Sequence, residues 1–551
     1  MIVDARSVPE GETIETDVCI IGAGIAGITM AREFIAQPFR VCLLESGGFE
    51  PDKVTQSLYW GEDVGHPYYP LDTHGARCFG GTAHRWHAAL GNFRLGVRLR
   101  PLDEIDFEKR DWVPYSGWPF RKTHLDPYYE RAHKVLQIGP YTYDVERWAD
   151  PEKAPPLPLD GRVKTTIFQF GPRDPFIGEY RDEIGRSGNI TTFLYANAVE
   201  LETNDTAQTV TRIRVACLGG RQFWVSAKVF ILAAGGIEIP RLLLLSNKVQ
   251  SAGLGNQHDL VGRFFMEHPH LWSGFYVPAG QEIFRRVTLY RIHAVNGVTI
   301  MAKLTLLEEV LRREKLLNYC VSIHPAAKPR RLRYPRVETR GVNSLKVLHK
   351  AARRGQWPKE LSRHLRNILA DVDHIAQAGF RSVQSRLDKA LGKHKAPKVE
   401  VFRLNHMSEQ APNPNSRVTL IPEKDALGRP RVQLNWQLSP IDIHTIVRAQ
   451  EIISEELRRA GLGYLHIELH GTTPPPDLHG GYHQMGTTRM HTDPRHGVVD
   501  ENCRVHGVSN LFIAGPSVFP TVGYANPVLT FVALALRLTD HVKELMAQSR
   551  L

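Results

Sequence analysis

Residues 480–508 carry few apolar side chains and four histidines, which are His483, His491, His496 and His506. Such a segment suits a metal site, a phosphate-binding loop or the floor of an active site, since imidazole serves both as a metal ligand and as a base near neutral pH. Only His479 and His483 lie four residues apart, and the glycines between them disfavour a helix that would hold both as ligands. We expect no metal ion here, and a purely structural polar loop is the alternative to a reactive one.

The elements that would position such a loop are clearest near the N-terminus. The turn Gly22-Ala23-Gly24-Ile25-Ala26-Gly27 follows an apolar strand at 18–21 and precedes a helix at 28–34. A second apolar strand at 41–44 ends in Glu45 and Ser46. In this pattern the glycines allow a tight turn, close approach of a pyrophosphate and close helix packing, while the terminal acid accepts hydrogen bonds from ribose. The segment predicts dinucleotide binding, with a ligand-free tight turn as the alternative.

Two further strand–glycine–helix units occur far downstream. A strand at 229–233 leads into Ala234 and Gly235, and a strand at 511–514 leads into Gly515, Pro516 and Ser517 before a helix at 528–542. Three such units predict one doubly wound, Rossmann-like α/β sheet that is interrupted by inserts.

The chain between these units has a different pattern. Alternating β-branched and aromatic runs at 285–307, 398–407 and 416–436 predict antiparallel strands, and a helix is expected after Ser439. We therefore predict a cofactor domain at 1–261 and 477–551, interleaved with an antiparallel sheet-plus-helix substrate domain at 262–476.

The C-terminal motifs carry a specific resemblance. The pattern H-x-x-G-T at 483–487, the segment at 498–515 and Asn526 in "GYANP" resemble the glucose-methanol-choline (GMC) family of FAD-dependent oxidoreductases, nearest its pyranose oxidase and sugar dehydrogenase branch. The resemblance implies that His483 is the base and Asn526 the orienting group in oxidation of an alcohol on a sugar, glycoside or polyol. The electron acceptor is left open. A flavin-binding or NAD-binding protein without alcohol chemistry is the alternative.

The same resemblance implies a set of FAD contacts, with Gly80, Gly81 and Thr82 packing against the flavin ring. Some sugar oxidases of the family attach flavin covalently to a histidine at the position that Arg85 occupies here, and His84 and His87 are out of register. Noncovalent FAD is therefore expected. The predicted contacts are Gly22, Gly24, Ile25, Ala26, Gly27, Glu45, Ser46, Gly80, Gly81, Thr82, Val199, Ala234, Gly235, Gly515, Pro516, Ser517, Asn526 and Pro527.

Charge is concentrated in one insert. The chain has a net charge of +11, and residues 328–398 contain 19 Lys or Arg against 5 Asp or Glu, a balance of 19 − 5 = +14. Apolar residues recur at helical spacing over 361–391, which predicts one long amphipathic helix or a helix pair broken at Gly379. It has three interpretations: a flap on its own domain, a helix docked on an anionic membrane surface, or a partner-subunit site.

Other classes of function are disfavoured. The sequence shows no nucleic-acid fold signature, so DNA binding is not expected despite the charge. The N-terminus does not resemble a secretory signal, no apolar run would span a bilayer, and the six cysteines show no C-x-x-C. We expect a cytoplasmic protein, with peripheral membrane contact as one reading of the insert.

Overall fold

The computed structural model describes residues 1–90, 94–326, 344–345, 347–349, 361–370 and 400–548. The strands in this part of the chain are β1 Ile2–Asp4, β2 Thr13–Ile21, β3 Val41–Leu44, β4 Glu62–Asp63, β5 Ala88–Ala89, β6 Leu95–Leu99, β7 Val163–Pro172, β8 Ile190–Leu194, β9 Asn197–Thr203, β10 Val210–Ala216, β11 Gln222–Leu232, β12 His270–Pro278, β13 His293–Val295, β14 Val298–Leu306, β15 Tyr319–Ala326, β16 Val401–Ser408, β17 Arg417–Lys424, β18 Pro430–Asn435, β19 Gly463–His466 and β20 Leu511–Ile513.

The α-helices of the described residues range from one turn to twenty residues. They are α1 Ile25–Glu33, α2 Lys53–Gln56, α3 Glu104–Phe107, α4 Asp126–Val135, α5 Val145–Trp148, α6 Tyr180–Arg186, α7 Gly235–Leu245, α8 Ile283–Arg286, α9 Glu308–Glu314, α10 Leu361–Ala370, α11 Pro440–Arg459 and α12 Val528–Ala547.

The first sheet joins the N-terminal and C-terminal parts of the chain. Its order is β1-β8-β3-β2-β11-β10-β9, and β20 pairs in parallel with β11. β2, β3, β8 and β11 are also parallel neighbours, as the buried apolar runs predict, because a sheet covered by helices on both faces needs apolar residues throughout its central strands. The predicted α/β class and composite Rossmann-like sheet are therefore confirmed.

The second sheet is mostly antiparallel and has the order β19-β12-β16-β15-β14-β7-β6-β5, with β13 paired to β14. It includes β5, β6 and β7, so the predicted domain boundary at residue 261 separates strands that share one sheet. Short strands such as Ala88–Ala89 give too weak an alternation to be assigned from sequence. A third small sheet has the order β17-β18-β4.

The sequence runs predicted as strands are partly helical. Residues 398–407 and 416–436 contain β16, β17 and β18 as expected. In the run at 285–307, however, Ile283–Arg286 and Val287–Tyr290 form helical turns before the β13–β14 hairpin. Val287, Leu289 and Tyr290 are all buried there, so packing decides the local structure over β-propensity.

The helix after Ser439 begins with the expected signals. Ser439 and Asp442 form a capping box around Pro440 at the first helical position, and α11 then runs for 20 residues. Its apolar side is buried among the strands of the second sheet, as shown by Ile446, Ile453 and Leu457.

Only part of the basic insert lies within the described residues. α10 confirms a helix over the first ten residues of the predicted amphipathic segment, while 371–391 lies outside the described part. Within the described residues no helix is long and apolar enough to cross a bilayer. All six cysteines are buried and unpaired.

A buried ion pair provides a test of this packing. Arg110 and Glu409 have fully buried side chains, and Arg110 Nη1 donates to Glu409 Oε2 at 2.8 Å. Glu409→Gln leaves an unpaired buried guanidinium, so we expect it to lower the free energy of unfolding by roughly 3–5 kcal/mol. Denaturant unfolding measures the loss. Asp174→Asn is the matched control, since its pair with Arg94 is about half exposed, and it should cost about 1 kcal/mol or less. Equal effects of the two substitutions would contradict this assignment.

Candidate active site

A cavity of about 1250 Å³ runs between the first and second sheets. It exceeds the ~300–1,000 Å³ typical of small-molecule sites. Its lining includes most of the predicted site residues: Gly22, Gly24, Ile25, Ala26, Glu45, Ser46, Gly81, Thr82, Val199, Ala234, Gly235, His483, Gly515, Pro516, Asn526 and Pro527. Segments more than 500 residues apart in sequence thus meet in one cavity of the size that a dinucleotide and a small substrate need.

Three predicted contacts lie behind this lining. A side chain at Gly27 would meet Gly22 O at 1.9 Å, so this glycine serves helix packing. Gly80 N donates to Ala23 O at 2.8 Å, which joins the two glycine loops. Ser517 is fully buried and its hydroxyl accepts from Thr488 Oγ1 at 2.8 Å, so it supports the segment after His483.

The glycine turns leave open space where a cofactor would approach the backbone. A Cβ added at Gly24, Gly235 or Gly515 would meet no heavy atom within 4 Å. Gly235 and Gly515 also have φ of +87° and +128°, which favours glycine. Gly24 immediately precedes α1, whose first amides have no intrahelical acceptors and suit phosphate oxygens. The donor set and the space therefore fit the pyrophosphate and ring of FAD.

Glu45 holds the turn and lines the cavity at once. Its carboxylate accepts from Ala23 N at 3.0 Å, Gly47 N at 2.9 Å and Ser46 Oγ at 3.1 Å. Burial raises the pKa of this carboxyl, and these donors oppose the rise. A carboxylate has about four acceptor positions, so roughly one is left for a ribose hydroxyl.

His483 and Asn526 are brought together at the cavity wall. His483 Nε2 lies 2.9 Å from Asn526 Nδ2, although the residues are separated by 43 positions. Asn526 immediately precedes Pro527, the N-cap of α12, and its Oδ1 accepts from Arg98 Nε on β6 at 3.0 Å. The pair predicted from the motif is therefore in direct contact in the structure.

Four residues of the site were missed by sequence reasoning, namely Tyr68, Arg98, Glu267 and His268. His268 Nδ1 lies 2.8 Å from His483 Nδ1, on the side of the ring away from Asn526. The sequence feature that could have identified Glu267 and His268 is their position as a polar pair just after the apolar residues 264–266. Both side chains are fully buried, which is unusual for these residue types without a specific role.

Glu267 anchors the loop that carries His483. Its Oε2 accepts from the backbone amides of Gly481 and His483, each at 2.9 Å, and from His268 N at 3.3 Å. Its Oε1 accepts from the Tyr68 hydroxyl. Burial raises the pKa of Glu267 to about 7, while the Tyr68 bond and the amides act in the lowering direction. One carboxyl thus fixes both the loop and the neighbouring histidine.

The surroundings keep His483 uncharged. Burial moves the pKa of His483 well below its usual value, and the positive charges of Arg98 and Lys303 act in the same direction. Burial also lowers the pKa of Lys303 to about 7 and that of His268 to about 4. Within the described residues Arg98 forms no ion pair with a carboxylate. At neutral pH His483 is therefore an uncharged imidazole.

The other histidines of the segment form none of the described hydrogen bonds to His483. His491 Nδ1 accepts from Asp493 N at 2.9 Å, and His506 Nε2 donates to His491 O at 2.8 Å. His479 lines the cavity, and its backbone pairs with that of His270. Across the described ranges no group of three or more His, Cys, Asp or Glu has the geometry for a metal ion.

The second glycine loop presents one histidine to the cavity. Residues Gly81–Arg85 form a 3-10 helix, and Arg85 and His87 line the cavity next to Trp86. The His84 ring instead bonds to Phe79 O at 2.9 Å, within the loop. Of the two off-register histidines, His87 is the one that lines the cavity.

The fold and site define a flavin-type oxidoreductase in which a dinucleotide-binding sheet faces an antiparallel substrate sheet across one cavity. Residues 412–535 match the sequence model of the GMC oxidoreductase family. The C-terminal part of the chain is thus a GMC oxidoreductase domain, and FAD is the cofactor.

One relative and one solved structure match nearly the whole chain, and a second relative matches a shorter part. The chain is 25% identical to the fructose dehydrogenase large subunit of Gluconobacter japonicus over 96% of this chain and 98% of that protein. It is 35% identical to the C-glycoside 3-oxidase of Arthrobacter globiformis over 20% of this chain and 21% of that protein. The structure of formate oxidase superposes with a TM-score of 0.54 at 15% identity, covering 98% of this chain and 99% of the other.

Loss of the Glu45 carboxylate should weaken FAD binding. Glu45→Ala removes the cavity acceptor and frees the amides of Ala23 and Gly47, so we expect the FAD dissociation constant to rise roughly 10–100-fold. Fluorescence titration of the apoprotein with FAD measures the change. Glu15→Ala, on the exposed part of β2, is the matched control and should bind as the wild type does. Unchanged affinity in Glu45→Ala would remove Glu45 from the cofactor site.

The mode of flavin attachment has a direct test. Because Arg85 occupies the attachment position, acid precipitation should release all flavin into the supernatant. Flavin that stays with the pellet would demonstrate a covalent bond. Repeating the assay with His87→Ala and His84→Ala would then identify the bonded histidine, and His87 is the one that lines the cavity.

Proposed function

We propose that this protein oxidises an alcohol group of a sugar, glycoside or polyol, with His483 as the base. The observation that carries the proposal is the contact between the Asn526 amide and a neutral, buried imidazole at the wall of the cofactor cavity. A neutral imidazole accepts a hydroxyl proton, and a fixed amide donor orients the same oxygen without titrating itself.

The chain's residues account for the proton in this reaction. Bound FAD would supply the hydride acceptor for the alcohol carbon. The hydroxyl proton goes to His483 Nε2, and the C–O bond becomes a carbonyl as the two hydrogens leave. Asn526 Nδ2 then bonds to the substrate oxygen in place of His483 Nε2. Glu267 holds the loop of His483 through two backbone amides, so the imidazole keeps its position while its charge changes.

The substrate class is supported by relatives and by the cavity. The names of three relatives state fructose, 2-methyl-1,2-propanediol and a C-glycoside as what they act on. Near the base, Tyr69 and Tyr482 line the cavity and stack with 4.0 Å between ring centroids. Aromatic faces pack well against the C–H faces of sugar rings, and His270 and Asn405 add polar groups to the same lining.

The alternative is a flavin- or NAD-binding protein without alcohol chemistry. Such a protein would need the glycine turns but not the His483–Asn526 pair. Anaerobic addition of sugars and polyols separates the two, because only the oxidoreductase loses its flavin absorbance. Subsequent admission of air tells an oxidase, which recovers its absorbance rapidly, from a dehydrogenase that requires another acceptor.

The base has the most direct test. His483→Ala should retain FAD but slow reduction of the flavin by alcohol roughly 10²–10⁴-fold, the usual contribution of a positioned base. Anaerobic stopped-flow absorbance measures the rate. His491→Ala is the matched control, because this histidine belongs to the same polar segment and its Nδ1 serves a local turn. An unchanged rate of flavin reduction in His483→Ala would show that His483 is not the base.

We also propose that the protein is cytoplasmic and that its basic insert docks on an anionic membrane surface. On α10, Leu361, Leu365 and Leu369 are spaced four residues apart and are 37%, 46% and 74% exposed. An exposed leucine stripe within a segment of net charge +14 suits the interface of anionic lipid, where each basic residue contributes roughly 1 kcal/mol. Arg363 bonds to Asp63 at 2.6 Å, which fixes α10 on the body of the protein.

The docking proposal is tested by cosedimentation with vesicles. The protein should pellet with phosphatidylserine-containing vesicles at low salt and be released at high salt, since salt screens surface charge. Neutral vesicles are the lipid control. Leu365→Ser with Leu369→Ser should weaken pelleting, whereas Val249→Ser, an exposed apolar residue elsewhere, should not. No pelleting at low salt would reject the membrane reading in favour of the flap or partner-subunit readings.

A further inference from the structure

We propose that His268 is a positioning residue for His483: it accepts the Nδ1 proton of His483 and so keeps Nε2 as the unprotonated nitrogen that takes the substrate proton. This inference rests on the proposed function for its kinetic consequence, but its structural content concerns only this chain. The direction of each hydrogen bond is fixed because the series ends in one group that can only donate and in another that can only accept.

The chain of hydrogen bonds starts at Arg98, whose guanidinium can only donate. Its Nε contacts Asn526 Oδ1 at 3.0 Å, so the oxygen of this amide faces Arg98 and its NH₂ group faces His483. Asn526 Nδ2 therefore donates to His483 Nε2 at 2.9 Å. Nε2 must be the unprotonated nitrogen, and in the neutral ring the proton lies on Nδ1.

The second half of the chain ends at a carbonyl, which can only accept. His483 Nδ1 donates to His268 Nδ1 at 2.8 Å. His268 must then carry its own proton on Nε2, which donates to Val522 O at 3.3 Å. Arg98, Asn526, His483, His268 and Val522 thus form one series with a single consistent set of donors. The opposite tautomer of His483 would place two N–H groups against each other at Asn526.

Burial, together with the charged and titratable groups around the pair, keeps both histidines uncharged. Arg98 and Lys303 from the second sheet bring positive charge, while His270 is itself buried and uncharged. Glu267 faces the backbone amides of His268 and His483. When Nε2 takes the substrate proton, His268 Nδ1 still accepts from the imidazolium, so the acceptor stabilises the charged ring.

The test uses two substitutions that differ in the acceptor. His268→Asn places an amide oxygen close to the position of Nδ1, whereas His268→Phe keeps a flat ring and removes the acceptor. We expect His268→Phe to slow anaerobic flavin reduction roughly 10–100-fold with FAD retained, the usual effect of losing a partner that orients a functional histidine. His268→Asn should recover most of the rate. His133→Phe, another buried histidine that does not line the cavity, is the control for packing damage and should reduce normally.

A second readout is independent of activity. In holoenzyme labelled with nitrogen-15 histidine, the protonated Nδ1 of His483 should give a slowly exchanging imidazole N–H signal. It should be absent in His483→Asn and in His268→Phe, and present in His268→Asn. If the signal instead shows protonated Nε2 in the wild type, or if both His268 variants are equally slow, the positioning role is wrong. If the signals behave as expected but no alcohol reduces the flavin in any variant, the tautomer holds and the proposed function fails.

Discussion

The active site depends on one buried carboxyl, that of Glu267, which joins three distant parts of the chain. It receives the Tyr68 hydroxyl, the amide of His268 and the amides of Gly481 and His483. A carboxyl taken out of water is stable only where donors replace its hydration, so the three segments must be in place together. The loop of His483 is therefore held through two of its backbone amides although it is rich in glycine. Tyr482, which adjoins His483, has φ of +61°, and the bonds on both sides hold it in this sparsely populated conformation.

The composite fold explains why these segments meet. β20 pairs with β11 in the first sheet and is followed by the turn at Gly515 and by α12. The chain thus returns to the first sheet after it has contributed the last strand of the second sheet. Asn526 precedes α12, and Arg98 lies on β6 of the second sheet. The contact between them thus joins the two sheets at the cavity. A change that separates the sheets would break the contact of Arg98 with Asn526 and so disturb the orientation of the Asn526 amide.

The parts of the fold that sequence predicted were those with a local cause. The turn from Gly22 to Gly27, the strand Val41–Leu44 and the start of α11 after Ser439 follow from steric and hydrogen-bonding rules within a few residues. His483 and Asn526 were found through a motif. Arg98 and His268 were not, because their roles arise from contacts across 428 and 215 residues, which no local pattern encodes. The helical turns at 283–290 were missed for a related reason, since tertiary burial overrode their β-branched composition.

The positive charge around His483 has opposite effects on the two groups of the proposed proton transfer, the imidazole and the substrate hydroxyl. Arg98 and Lys303 lower the pKa of His483, which weakens it as a base. The same charge stabilises negative charge on a substrate oxygen as its proton leaves, because electrostatic interactions are strong in a buried site. Arg98 also acts through Asn526, whose amide it polarises, so that the Nδ2 donor next to His483 Nε2 is strengthened. His268 acts on the other side of the imidazole, where its Nδ1 lies 2.8 Å from His483 Nδ1 and accepts the proton of that nitrogen. The two nitrogens of the His483 ring thus have different partners, Asn526 at Nε2 and His268 at Nδ1.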